Sequence, residues 1–224
     1  MTQETIVHLL RHGEVHNPGG VLYGRLPGFH LSDRGNRMAE RVAETIGDRD
    51  ITHLRVSPLE RVRETAAPLA AVRGLDPVVD ERVIESTNVF EGKRFGKGNS
   101  TLSSPSSWLH LWNPFRPSWG EPYTQVAARM RAAVQDARAA AAGHEAVVVS
   151  HQLPIWVARL SAEGRPFLHD PRRRQCTLCS LTSLHFEDAR LVRVSYSEPA
   201  GDMIPLADKR ATFSAGDAPE GNKP

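Results

Sequence analysis

Short continuous apolar runs alternate along the chain with longer stretches whose apolar residues recur every three or four positions. Ile6-Val7-His8-Leu9-Leu10 is a run of the first kind and predicts a buried strand over about 5–10. Residues 15–31 are rich in Gly, Pro, Asn and His and predict a loop. Ser32 suits an N-cap, with Asp33 in the first turn, and Met38, Val42 and Ile46 mark the inner face of a helix reaching Gly47. Ile51 to Val56 predicts a second strand, ending in Ser57-Pro58. Pro58 fits the first position of a helix running to Arg73, with Leu59, Val62, Ala66 and Leu69 along one side. Pro68 is expected to kink or shorten that helix. Pro77 to Val79 reads as an edge strand.

The second half repeats the scheme after an interruption. Residues 93–122 show no clean period, are dense in Gly, Ser and Pro, and hold Trp108, Trp112 and Trp119. They read as a lid-like insertion packed over a site, or as an interface between two copies of the chain. A helix follows over about 121–142, with Val126, Met130 and Val134 on one side. Ala146 to Val149 is a short apolar strand ending in Ser150-His151, with a helix from Pro154 to Ala162 behind it. Strands near 180–186 and 191–196 predict a hairpin around Glu187-Asp188-Ala189-Arg190. From Pro205 the chain is a polar tail, expected to be mobile. Strands alternating with helices imply a three-layer α/β/α fold, with a mostly parallel central sheet and helices on both faces. The expected organisation is one domain over 1–204, carrying the 93–122 insertion, then the tail over 205–224.

Composition narrows the function classes. Lys and Arg number 28 against 26 Asp and Glu, a formal net charge of +2, so charge gives no signal for nucleic acid. No uncharged apolar run is long enough for a membrane span, and the first residues lack the basic start and apolar middle of a signal peptide. The expectation is a cytoplasmic protein. Cys176 and Cys179, three apart and without a second pair, read as small buried thiols rather than half a zinc site or a redox pair.

Candidate chemistry gathers where strands stop. The first strand ends in Arg11-His12-Gly13, the one at 146–149 ends in Ser150-His151, and the junction Ser57-Pro58-Leu59-Glu60-Arg61 puts an arginine in the first turn of a helix. Parallel strands bring their carboxyl ends to one rim, where ligands bind in open α/β sheets. His12, His151, Arg11 and Arg61 can therefore converge on an anion, and guanidinium forks match phosphoryl oxygens. A surface Arg-His pair at a strand end is the plainer alternative for any one junction taken alone.

Four blocks carry a resemblance. Leu10-Arg11-His12-Gly13-Glu14, Ser57-Pro58-Leu59-Glu60-Arg61-Val62-Arg63-Glu64-Thr65-Ala66, Ile84-Glu85 with Phe90-Glu91-Gly92, and Val148-Val149-Ser150-His151 resemble, in order, the signatures of the histidine phosphatase (phosphoglycerate mutase-like) superfamily. The resemblance implies that His12 is the nucleophile that becomes phosphorylated. It implies that Arg11, Arg61 and His151 clamp the transferring oxygens, and that Glu85 donates a proton to the leaving oxygen. Glu81 and Glu91 are local rivals for that last role. A hydrogen-bond acceptor must hold the second nitrogen of His12, and no residue in the sequence declares itself as that acceptor. Asn17 resembles the asparagine that follows the signature, one residue early, and could donate an amide hydrogen to phosphate. Arg25 could reach substrate or be a plain exposed arginine, and Gln152, standing where the family usually has glycine, could face substrate through its side chain. Gly13 lets the chain turn closely past a phosphate. His16 and His30 lie in loops near the expected site; His169 and the remaining histidines read as surface or satisfied core. Arg172-Arg173-Arg174 reads as a solvated turn.

The expected activity is hydrolysis of a small phosphorylated metabolite through a covalent phosphohistidine, without metal or other cofactor. A phosphoglycerate-type mutase is the nearest rival. The chain lacks the longer Glu-Arg-His-Tyr-Gly block such mutases carry, while Arg94, Lys97 and Arg116 of the insertion could supply extra cationic contacts. A non-catalytic phosphate-binding module on the same fold is the rival from another class. Substrate and oligomeric state are not encoded in any motif, and a homodimer through the Trp-rich segment stays open.

Overall fold

The computed structural model describes residues 3–93 and 120–205. The proposed insertion, but for its flanks, and the polar tail, but for its first residue, lie outside the described residues. Six strands form one sheet: β1 (Glu4–Arg11), β2 (Ile51–Val56), β3 (Val78–Val79), β4 (Glu145–Ser150), β5 (Leu181–Glu187) and β6 (Arg190–Ser197), in the order β3-β2-β4-β1-β5-β6. The first four strands in that order run parallel. β5 pairs antiparallel with β1, and β6 with β5. Helices α1 (Asp33–Ile46), α2 (Glu60–Arg73), α3 (Tyr123–Ala140) and α4 (Gln152–Ala162) cover the two faces.

Burial on both faces explains the continuous apolar runs. Val7 and Leu9 of β1, with Ala146 and Val148 of β4, join α3 and α4 in one core. The alternate residues, Leu10, Val147 and Val149, join α1 and α2 in the other. Strand side chains point to opposite faces in turn, so a strand sandwiched between helix layers needs apolar residues at nearly every position.

Ser32 caps α1 as expected, its hydroxyl accepting from Gly35 N–H at 3.0 Å. One expectation fails at α2. The helix begins at Glu60 rather than Pro58, because Ser57 N–H still donates to Val149 O across the sheet and the chain needs Leu59 to complete its turn. The helix runs through Pro68 to Arg73. Burial of Val62 and Leu69, roughly 1.5–3 kcal/mol each, offsets the ~3 kcal/mol cost of an internal proline. Among the described residues, no helix is long and apolar enough to cross a membrane.

Candidate active site

β1 and β4 are direct neighbours, with Arg11 opposite Ser150, so their next residues, His12 and His151, leave the sheet side by side. The two imidazoles lie 5.2 Å apart, centre to centre. Main-chain bonds fix His12 from both sides: its N–H donates to Ser150 O at 3.1 Å, and its carbonyl accepts from Cys179 N–H at 3.4 Å. Cys179 adopts a left-handed backbone (φ 53°) to make that approach. The cysteine thiols themselves are buried and free, so this pair serves through its backbone.

The acceptor missing from the sequence is the next residue's carbonyl. His12 Nδ1 lies 2.8 Å from Gly13 O, and a carbonyl can only accept, so Nδ1 carries the proton. Nε2 is left as the lone-pair nitrogen, and it has no hydrogen-bond partner among the described residues. Burial, then Arg61 and Arg11, holds the His12 ring well below the ordinary imidazole value, against the opposing pull of Gly13 O. The His12 ring is therefore held neutral near physiological pH, with a lone pair on Nε2.

Three cationic or polar side chains surround it. Arg11 donates Nη1 to Cys176 O at 2.7 Å, while its buried Nε has no partner. Arg61 is fully buried; Nη2 reaches Gly24 O at 2.5 Å, and Nε and Nη1 have no partner among the described residues. Tyr23 lies under that guanidinium, which sits 4.8 Å from the ring centre. His151 shares a 2.9 Å hydrogen bond between Nε2 and Ser57 Oγ, leaving Nδ1 buried and unpartnered. Burial and the neighbouring arginines keep this ring neutral as well. Among the described residues, Arg11 Nε and Arg61 Nε and Nη1 are thus buried donors without acceptors, which is costly unless an anion serves them.

A cavity of about 110 Å³ opens onto Arg11 and His12, with Tyr23, Glu85, Gln152 and Arg174 also among its walls, while Arg61 and His151 are buried beside His12 and are not themselves among the lining residues. Glu85 follows a short 3-10 turn (Glu81–Val83) that Arg129 staples through Arg82 O and Ile84 O at 2.6 and 2.7 Å. Burial pushes the Glu85 carboxyl up from its ordinary value, against Ser86 N–H and the nearby arginines. The two rivals stay away from the cavity: Glu81 is exposed, and Glu91 accepts from Arg25 N–H and Asn88 N–H.

Several expected ligands have other work. Asn17 closes its own loop, its amide bonding Val21 O at 2.9 Å and Val21 N–H at 3.1 Å, and it does not line the cavity. Arg25 holds the Glu85 carbonyl through Nε at 2.6 Å and pairs with Glu121, so it props the wall rather than facing into the cavity. Gln152 does line the cavity and bonds Cys176 O at 3.4 Å. Gly13 abuts not a ligand but α1: a Cβ there would lie 2.8 Å from Gly35 O. His30 faces Glu64 on the surface. The arginine run splits: Arg172 and Arg173 are exposed, whereas Arg174 lines the cavity. Tyr23 carries no signal in the sequence that separates it from loop residues, Ser57 opens a family block that names no role for it, and Arg174 is hidden in a run of three arginines. Among the described residues, no group of three or more His, Cys, Asp and Glu is placed to hold a metal ion.

A mostly parallel sheet whose adjacent central strands end in paired histidines, with buried arginines beside them, defines an α/β protein with an anion-handling rim. Comparison with known proteins supplies its family. Residues 7–199 match the histidine phosphatase superfamily (branch 1), and the chain belongs to that superfamily. An uncharacterized Mycobacterium tuberculosis protein, Rv0525, is 56% identical over 200 residues, spanning 89% of this chain and 99% of its own. A probable phosphoglycerate mutase, GpmB of Photorhabdus laumondii, is 28% identical, covering 89% of this chain and 94% of its own. Among solved structures, mycobacterial glucosyl-3-phosphoglycerate phosphatase Rv2419c superposes with a TM-score of 0.69 at 25% identity, over 88% of this chain and 98% of that one. Bacillus stearothermophilus YhfR shares the fold, with a TM-score of 0.71 at 22% identity, over 89% of this chain and all of that one.

Proposed function

We propose that the protein hydrolyses small phosphomonoesters through a phosphohistidine on His12, with arginine guanidiniums supplying the positive charge. The observation that carries the reading is the Gly13 carbonyl on Nδ1, which leaves a neutral Nε2 without a hydrogen bond. In the first step the Nε2 lone pair attacks phosphorus, and the bond from phosphorus to the ester oxygen breaks. The leaving oxygen takes the proton of the Glu85 carboxylic acid. In the second step the Glu85 carboxylate removes a proton from water, whose oxygen attacks phosphorus. The bond from Nε2 to phosphorus breaks, inorganic phosphate departs, and both residues return to their starting protonation. Arg11, Arg61 and His151 hold the three peripheral oxygens, where negative charge gathers in the transition state.

Relatives bearing the names phosphatase and probable mutase both fit a phosphoenzyme, and they differ in where the phosphoryl group goes next. Absence of the mutase block near Glu85 favours release to water. The test is incubation with a labelled phosphomonoester. The expected result is acid-labile label on His12 and release of inorganic phosphate, both lost in His12→Ala. Transfer to added phosphoglycerate with little release would replace hydrolysis by the mutase reading. Neither label nor release, with wild type behaving like His12→Ala, would leave a phosphate-binding module.

A further inference from the structure

Arg174 stands apart from the other guanidiniums around the cavity. Arg11 and Arg61 each bond a main-chain carbonyl, and Arg25 and Arg129 are spent on Glu121 and on carbonyls of the Glu85 loop. Two residues before it, Arg172 is neutralised by Asp170 through a two-pronged pair of 3.0 and 2.9 Å. Arg174 has no carboxylate partner among the described residues. Its Nε donates to His169 Nε2 at 2.8 Å, and its two terminal nitrogens make no hydrogen bond or ion pair with those residues. A half-buried, charged fork on the wall of a ligand cavity carries a desolvation cost that an incoming anion offsets.

His169 aims that fork. Its Nδ1 lies 2.6 Å from Phe167 O, so Nδ1 bears the proton and Nε2 is the acceptor for Arg174. The ring is wedged between Tyr123 and Trp156, with centres 5.8 and 5.9 Å away. Burial is the main effect holding this imidazole below its ordinary value, and the neutral ring takes Nε without cancelling the arginine's charge. Arg174 lines the same cavity as His12, Arg11 and Glu85, which places its charge beside the groups proposed for the chemistry.

We infer that Arg174, positioned by His169, is a second anion-binding group of the cavity, and that the preferred substrate is a small phosphomonoester bearing another anionic group, a carboxylate or a second phosphate. This rests on the reading of the same cavity as the site of phosphoryl transfer: with one phosphoryl group against His12, Arg174 meets what is attached to it. A cavity of about 110 Å³ fits a short linker between the two charges.

The test measures equilibrium binding in a His12→Ala background, which forms no phosphoenzyme and so reads binding alone. The probes are 3-phosphoglycerate, glycerol 1,3-bisphosphate and sn-glycerol 3-phosphate, which share a three-carbon skeleton and differ in the second group. One or both doubly anionic probes should bind tighter than glycerol 3-phosphate, and the stronger of them identifies carboxylate or phosphate. Arg174→Gln should collapse that preference about tenfold. His169→Phe should do the same, and His169→Gln, which keeps an acceptor, should restore it; a merely structural histidine would not show that rescue. Equal binding of all three probes, no binding of any, or a preference that survives Arg174→Gln overturns the inference. Absent phosphate release by wild type with the preference intact would instead sink the hydrolase reading alone.

Discussion

The floor and the wall of the cavity are built by different means. Each floor histidine lies one residue past a strand end, and the sheet's own hydrogen bonds hold His12 on both sides. The wall residues Glu85 and Arg174 sit in loops, where side chains fasten them: Arg129 and Arg25 grip the carbonyls around Glu85, and His169 grips Arg174. A floor made of main chain changes little with sequence and, on the proposed function, suits the part of the chemistry that all substrates share, the phosphoryl group. A wall held by side chains can be altered one residue at a time, and it faces the part of the substrate that varies.

If that division holds, damage to the floor should be blind to substrate. His151→Ala is expected to lower kcat/KM by roughly 10³-fold, since on the proposed mechanism it removes one of the groups that hold the transition-state oxygens. The loss should be similar for every phosphomonoester, measured as phosphate release from a series of esters. A loss that varies strongly along the series would move His151 to the wall.

Glu85→Gln should show the opposite pattern. The expected loss is roughly 10²- to 10³-fold for an alkyl phosphate, whose alkoxide must be protonated to leave. It should be far smaller for p-nitrophenyl phosphate, whose phenolate leaves without a proton. The pH profile sharpens this. His12 is held well below 6.5, so the nucleophile stays neutral until well into acid. Glu85 is raised above 4.5, so the donor keeps its proton further toward neutrality than an ordinary glutamate. Activity should therefore peak on the acid side of neutral and fall as pH rises through the Glu85 value. Glu85→Gln should abolish that fall for alkyl phosphates, and a basic limb unchanged in the variant would assign it to another group.

Arg61→Lys tests whether the floor needs a fork or only a charge. Lysine cannot offer the geometry of Nε and Nη1, nor lie flat beside Tyr23. The expected loss is about 10²-fold, mostly in kcat, by steady-state kinetics. Near-normal activity would show that charge alone suffices.

The same contrast decides what the sequence discloses. Strands covered on both faces appear as apolar runs, so β1, β2 and β4 and the histidines at the ends of β1 and β4 are legible directly. The acceptor on His12 is a carbonyl, which every residue possesses, and no side-chain pattern could announce Gly13. Glu85 is legible only through its family block, since three glutamates lie within eleven residues. Asn17 and Arg25 are the right types for an anion site, yet the fold uses them to close a loop and to prop the wall. Arg172 and Arg174 look alike in sequence; only folding shows Asp170 pairing with the first and the cavity meeting the second.

The smallest expected effect concerns how the floor is fastened beneath the site. Gly13 and Gly35 meet backbone to backbone where the turn after β1 crosses the first turn of α1. A Cβ on Gly35 would lie 2.0 Å from Glu14 O, and main chain cannot swing aside as a flexible side chain would. The Glu14 carboxylate is tied to the same turn by Ser32 Oγ at 2.7 Å and by Arg34, so the contact cannot open without breaking a buried network. Gly35→Ala should therefore cost about 2–3 kcal/mol, as overpacking does, and lower Tm by roughly 4–12 °C. Because Glu14 is two residues from His12, kcat should fall several-fold even far below Tm, again equally for all substrates. Gly28→Ala is the control: no atom of the described residues lies within 4 Å of its Cβ position, and its φ of 78° is what resists the change. It should lose about 1 kcal/mol and leave kcat nearly unaltered. A Gly35→Ala protein with reduced Tm but normal kcat would mean that the sheet alone, without α1 beneath the turn, holds His12 in place.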